Sequence, residues 1–278
     1  MPRKAFTLVE LLVVIAIIAL LLSILLPGLN KARAQSRAVA CMSYVRQWGL
    51  IMNMYTSTYD GRYWIDPDFP VTDRRLWMNL LADLYGNNDK FRKCPSAMSK
   101  NEFGLAHPDE DVFGSTTRVW ECGLTADTTD KFARYEGSYG INSWINQVPD
   151  AGPFAGGWRG KPQCQWDTNN QKNASNIPIL GDCIWYGGNP ETQLYSAGGK
   201  IPLTPDWLYD KQQTADFAGI GYYDIARFCI ARHNRGMNMA FMDGSVRQLP
   251  LPELWQLKWH RESQPPGPGQ VIKIPWLN

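Results

Sequence analysis

Phe6-Thr-Leu-Val-Glu10, followed by an apolar run that lasts to Leu26, decides how the rest of this 278-residue chain is read. From Leu8 to Leu26 every side chain is aliphatic except Glu10 and Ser23. As a helix that stretch rises roughly 28 Å at 1.5 Å per residue, close to the ~30 Å hydrocarbon core of a bilayer. It is therefore long and apolar enough to span a membrane. Glu10 is the anomaly: an ionised carboxylate in hydrocarbon is expensive unless a cation or a polar neighbour receives it. Its presence two residues into the span implies a partner.

A short basic leader, Met1-Pro-Arg-Lys-Ala5, precedes this stretch, and Pro27 stands at its end. Together these features resemble the N-termini of type IV prepilins and type II secretion pseudopilins. The resemblance implies that a membrane prepilin peptidase of the aspartyl type cuts between Ala5 and Phe6 and methylates the new amine of Phe6. It also implies that Glu10 pairs with the free N-terminal amine of a neighbouring pilin-like subunit as a filament grows, so that one buried charge meets its opposite. The sequence departs from the usual pattern at Ala5, where Gly is customary. A cleaved secretory signal would have a shorter apolar core and a small-residue cleavage site after it, whereas Leu26-Pro-Gly-Leu-Asn-Lys31 offers no clear A-x-A pattern, although Ala32 and Ala34 follow nearby. A plain single-pass anchor differs only in lacking the leader, Phe6 and Glu10.

The formal net charge of +2 gives no broad polyanion-binding surface, so nucleic acid is not an expected partner. Twelve Trp, twelve Tyr and ten Phe supply burial first, and sugar-stacking faces second. Cys41, Cys94, Cys122, Cys164, Cys183 and Cys229 lie far apart with no C-x-x-C pair, which argues against a zinc ribbon or a thioredoxin-like site. Their even number permits disulfides in an exported domain. Arg3 and Lys4 precede the span while Lys31, Arg33 and Arg37 follow it, so charge alone does not orient it. The resemblance places the leader in the cytoplasm, the anchor in the bacterial inner membrane and the domain in the periplasm, or at the cell surface in an assembled pilus.

Beyond Pro27-Gly28, which should loosen the helix, Ala38, Cys41, Val45, Trp48, Met52, Tyr55 and Tyr59 recur at steps of three and four, one helical face. One helix from Phe6 to about Thr58, on the order of 80 Å long, should end at the turn chemistry of Asp60-Gly61. Cys41 on its buried stripe is either a small core residue or the helix half of a disulfide, with Cys94 the favoured partner. A short helix is expected over Leu76–Tyr85, a turn at Lys93-Cys-Pro-Ser96, a strand running into a turn over Ser138–Trp144, and a core strand over 177–186. Residues 149–176 and the stretch from 187 to about 221 read as long polar loops. Alternation on both sides of Asp243-Gly244, over Met237–Leu249, predicts a β-hairpin. Gln264–Gly269 is irregular, and Val271–Trp276 is an edge strand or a free end. The division is a leader (1–5), a transmembrane assembly helix (6–29), its amphipathic continuation (30–60), a globular domain (61–263) and a Pro/Gly-rich tail (264–278).

His233, nine residues and then Asp243-Gly244 resemble the H-x9-DG pattern of a prepilin-like family abundant in planctomycete- and lentisphaera-type bacteria. Leu254–His260, Cys41–Gly49, Tyr59-Asp-Gly61, Lys93-Cys-Pro95 and Tyr139-Gly-Ile-Asn142 resemble it too. On the residues alone, Asp243-Gly244 builds the turn and His233 bonds near the start of the preceding strand. The sharper reading is a metal site in which His233 and Asp243 join Asp182 or Asp224. Related pseudopilins use calcium, but no D-x-[DN]-x-[DN]-G loop occurs and His is a poor calcium ligand, so no cofactor is expected beyond that one candidate. The elbow, zincin, Walker and dinucleotide-binding motifs are all missing, which argues against an enzyme.

The expected fold is α+β and pilin-like: a long N-terminal helix, transmembrane in its first half, packed on an antiparallel sheet with large loops. The expected function is a structural subunit of a pseudopilus or type IV pilus-like filament. The rival is a membrane-tethered module that binds glycans or another ligand through loops around Trp158, Trp166, Trp185 and Trp207.

Overall fold

In the computed structural model, which describes residues 7–64, 77–86, 88–97, 114–123, 134–147, 161–185, 187–188, 225–228, 230–265 and 277, a single helix organises the chain. Helix α1 runs over Leu8–Thr58, 51 residues, or roughly 77 Å. It starts in a capping box: the Thr7 hydroxyl accepts the Glu10 N–H at 3.3 Å and the Glu10 carboxylate accepts the Thr7 N–H at 2.8 Å. It ends where Asp60 and Gly61 take φ of +52° and +77°, a left-handed pair that no helix continues through. Pro27 lies inside the helix without ending it, although its ring nitrogen cannot donate to the Ser23 carbonyl.

The two halves of α1 meet different surroundings. Every large apolar side chain from Leu8 to Leu29 is between 45% and 78% exposed, and among the described residues none covers the stretch best able to cross a membrane. Burial begins at Cys41 and continues through Val45, Trp48, Gly49, Ile51, Met52 and Thr56. The expected stripe is thus correct up to Met52 and then rotates, leaving Tyr59 54% exposed.

That buried face lies on a five-stranded sheet ordered β5-β3-β4-β6-β7. Its strands are β3 (Tyr139–Asn142), β4 (Pro178–Asp182), β5 (Gly187–Gly188), β6 (Gly236–Phe241) and β7 (Val246–Pro250). All neighbours are antiparallel except β3 and β5. A separate pair joins β1 (Trp120–Gly123) to β2 (Arg134–Gly137). The hairpin expected over Met237–Leu249 is present with those two residues opposite each other. The strand expected over 177–186 is shorter, ending at Asp182. The helix expected over Leu76–Tyr85 breaks at Leu81 into α2 (Trp77–Leu80) and α3 (Ala82–Tyr85), and α4 (Asp89–Arg92) follows.

Strand β6 is buried on both faces, and Asn238 and Ala240 meet α1. The Asn238 amide donates to the Ala38 carbonyl at 3.3 Å. Gly49 sits over Ala240, where an added Cβ would stand 3.6 Å from the alanine methyl, ordinary contact. Gly49→Ala should therefore be neutral or stabilising by up to ~1 kcal/mol through helix propensity. Gly49→Leu should lose about 1–3 kcal/mol by forcing helix and sheet apart, read as opposite shifts in the thermal melting of the two variants. Beside Gly49 on α1, the Trp48 indole donates to the Phe91 carbonyl at 2.8 Å and meets Trp77 and Tyr85 edge-on at 4.8 Å. After β7, Leu254, Trp255, Leu257, Trp259 and His260 are buried, and the Trp259 carbonyl accepts the Asn142 amide and the Trp166 indole, giving the C-terminal segment a packing role.

Residues 161–176 are loop-like apart from two short 3-10 turns, as expected of that region. Ala5, Phe6, Trp158, Trp207, Asp224, Cys229, the loop after residue 188 and the expected strand at Val271–Trp276 lie outside the described residues, as does the side chain of Cys122.

Candidate functional site

Four segments far apart in sequence deliver one polar cluster beneath α1. Cys41 is the first buried residue of the helix. Cys94 follows α4 in a turn closed by the Ala97 N–H on the Cys94 carbonyl. Asp182 is the last residue of β4. His233 precedes a tight turn in which Asn234 and Arg235 both take positive φ and His233 and Gly236 exchange backbone hydrogen bonds. Gly236 is required there, since an added Cβ would stand 2.4 Å from the Leu249 carbonyl oxygen. Cys41 and Asp182 are 0% exposed, Cys94 1% and His233 2%.

The ligand-type atoms of these four residues all lie within 4.8 Å of one another. Cys94 Sγ is 3.2 Å from His233 Nε2, His233 Nε2 is 3.4 Å from Asp182 Oδ2, and Cys41 Sγ is 3.7 Å from that oxygen. Asp182 is held from outside the cluster as well. Its Oδ1 accepts Arg232 Nη1 at 3.1 Å and its Oδ2 accepts the Asn238 N–H at 2.8 Å. The Arg232 guanidinium also donates to the carbonyls of Ser138, Ser115 and Thr116, so it cannot turn away. The Tyr139 hydroxyl points at Cys41 Sγ, 3.4 Å away.

The charges in this dry site shift one another. Burial opposes ionisation of Asp182, but the hydrogen bond and charge of His233, the charge of Arg232 and the Asn238 N–H outweigh it and hold the carboxyl below its ordinary value. Burial likewise disfavours imidazolium at His233, yet Asp182 and Cys94 raise it to about 9. Burial pushes the Cys94 thiol up, and contacts with Cys41 and His233 and the charge of Arg232 bring it down to about 6.

The sequence-derived site is thus redrawn. His233 is in the cluster, and Asp182, one of the two carboxylates offered as its partner, is there too. Asp243 is not: it is exposed in the hairpin turn, where its Oδ1 accepts the Ser245 N–H at 2.9 Å and the Ser245 hydroxyl at 2.6 Å. Strand β6 separates the two, and its six residues extend about 20 Å. Gly244, at φ +82°, serves the turn, close to the Asn53 side chain of α1. Cys41 and Cys94 do come together, but as free thiols, so no disulfide joins them in this structure; they share their contacts with Asp182 and His233 instead. Arg232 went unrecognised, and its only signal was adjacency to His233.

At the other end of the chain, Thr7 and Glu10 form the cap described above, with the Thr7 hydroxyl donating to the carboxylate at 2.7 Å. Of the tryptophans offered as a sugar platform, Trp166 and Trp185 are 3% and 8% exposed and present no stacking face. Tyr55, Tyr59, Tyr63 and Trp64 line an open groove of about 500 Å³ at the end of α1, but Tyr63 and Trp64 are buried, Trp64 edge-on to Tyr55 at 5.6 Å.

Residues 1–26 match the prokaryotic N-terminal methylation motif. The chain therefore carries a prepilin-type N-terminal signal, continuous with a long apolar helix. Combined with antiparallel sheets behind that helix, the α+β architecture is consistent with a pilin-like fold. The motif is one of structural pilin-like proteins rather than of an enzyme family. No curated protein and no solved structure is similar to the chain.

Proposed function

We propose that the chain is a pilin-like structural subunit, cut between Ala5 and Phe6, methylated on Phe6, and assembled with other pilin-like subunits into a pseudopilus or type IV pilus-like filament. The observation that carries this reading is the bare first half of α1. From Leu8 to Leu29 its large apolar side chains are at least 45% exposed, and they need lipid before assembly and neighbouring helices after it. The buried second half of α1 is anchored on the sheet, so the apolar half projects from the domain as a handle for packing. Glu10 is positioned within the first turn, where the capping box lends its carboxylate to Thr7 until a neighbour's N-terminal ammonium is offered. The anchor lies in the inner membrane with the domain on its periplasmic side, and the filament serves secretion or surface attachment.

The test is the N-terminus of the mature chain, read by mass spectrometry from membranes of cells that hold a prepilin peptidase. A chain beginning at N-methyl-Phe6 is the expected result. A chain that retains Met1, or one that begins beyond the apolar segment near Ala32 or Ala34, would overturn the assignment in favour of a plain anchor or a secretory signal.

A further inference from the structure

We propose that Cys41, Cys94, Asp182 and His233 form a structural zinc site that ties α1 to the sheet. Four donors converge from four separate segments, all within 4.8 Å of one another, and three of their six separations are near those of a tetrahedral site. Zinc bonds of about 2.0 Å to nitrogen or oxygen and 2.3 Å to sulfur place neighbouring ligands on the order of 3.3–3.8 Å apart. The sulfur to nitrogen separation between Cys94 and His233 is 3.2 Å, the nitrogen to oxygen separation between His233 and Asp182 is 3.4 Å, and Cys41 Sγ to Asp182 Oδ2 is 3.7 Å. A disulfide would instead draw the two sulfurs to about 2.05 Å, whereas Cys41 and Cys94 are free thiols here and each also faces a second donor-type side chain, Asp182 or His233.

The donor set selects the metal. Two thiolates with one imidazole and one carboxylate suit a borderline-soft ion with no preferred geometry of its own, and they exclude calcium, which takes six to eight oxygens. Burial of all four donors leaves no open position for water or substrate, the mark of a structural site rather than a catalytic one. The charges also close. Two thiolates and the Asp182 carboxylate face a divalent ion and the Arg232 guanidinium, so the buried assembly carries no net charge. Asp182 Oδ1 accepts Arg232 and Oδ2 accepts the Asn238 N–H, each oxygen keeping a second lone pair, and Cys41 Sγ stands 3.5 Å from Oδ1 and 3.7 Å from Oδ2. With the Tyr139 hydroxyl on Cys41, these contacts fix the donors from outside, as supporting partners do in metal sites. Binding takes both sulfurs as thiolates and His233 as neutral imidazole, so the protons that Cys41 and the His233 imidazolium carry beforehand go to solvent and Nε2 takes the ion.

The full-length chain, purified in detergent without chelator, is assayed for metal and then exchanged into cobalt. The expected result is about one zinc per chain surviving gel filtration, and a cobalt form with tetrahedral absorption in the red and thiolate-to-cobalt charge transfer in the near ultraviolet. Cys94→Ser and His233→Ala should lose the zinc, while Asp243→Asn should keep it. Where the first two fail to fold, the cobalt spectrum of the unaltered chain decides alone. Cys41 joined to Cys94 in a non-reduced peptide map, zinc far below one per chain with both thiols open to alkylation, or zinc retained by both variants would each overturn the proposal. None of these outcomes bears on the processing of Phe6.

Discussion

Asp182→Ala, measured with chelator present so that no bound metal contributes, is expected to destabilise the folded domain by about 3–5 kcal/mol. The substitution removes the only carboxylate within reach of Arg232 among the described ion pairs, and the guanidinium stays fully buried, pinned to three backbone carbonyls. It also strips the Asn238 N–H of its acceptor in the middle of the sheet and leaves His233 without its anion. An uncompensated charge in a dry interior is the expensive outcome; removal of both charges is not. Asp182→Leu combined with Arg232→Met should therefore recover part of the loss, since the pair leaves together. Urea denaturation of the three chains in micelles tests this. A loss below about 1 kcal/mol for Asp182→Ala would mean that water reaches the site and that its burial is not what makes it rigid.

The long helix, the hairpin and the general α+β plan were legible because each repeats a local period over many residues. Helix α1 announces itself through an unbroken aliphatic run and then through Cys41, Val45, Trp48 and Met52. The hairpin announces itself by alternation around a dipeptide made for turning. The cluster has no such period. Cys41 and Asp182 are 141 residues apart, and Cys94 and His233 are 139 apart, so only the packing of α1 on β4 and β6 brings them together. The short spacing from His233 to Asp243 misled for the same reason in reverse: nearness in sequence along an extended strand becomes separation in space. Asp243 marks the far end of β6, and the pattern that joins it to His233 measures the length of a strand bounded by two turns. Tryptophan was ambiguous by nature, since a side chain apt for stacking on a sugar is equally apt for a core. Trp48, Trp166 and Trp259 settle into the core with their N–H groups bonded to carbonyls of Phe91, Trp259 and Leu254. The break at Leu81 had no strong marker, as neither Gly nor Pro stands there.

A chain carrying Glu10→Ala is expected to reach the membrane and to lose its leader, yet to yield filaments only at background level. Insertion depends on the aliphatic run, which the substitution lengthens, and the peptidase acts on the leader and Phe6. Assembly is different, because each joining helix brings an N-terminal ammonium into apolar surroundings and needs an anion to receive it. The capping box makes the charge separable from the hydrogen bond. Glu10→Gln keeps an acceptor for the Thr7 N–H and so preserves the first turn, but it removes the negative charge. Thr7→Ala removes the hydroxyl partner and leaves the carboxylate ionisable. If charge pairing drives growth, Glu10→Gln should fail nearly as completely as Glu10→Ala, and Thr7→Ala should still assemble. If the carboxylate serves only to start the helix, the order reverses, with Glu10→Gln filamentous and Thr7→Ala impaired. Comparing sheared filament with membrane-retained subunit for the three variants separates the two. Filaments from Glu10→Gln at the level of the unaltered chain would refute pairing between Glu10 and the Phe6 amine.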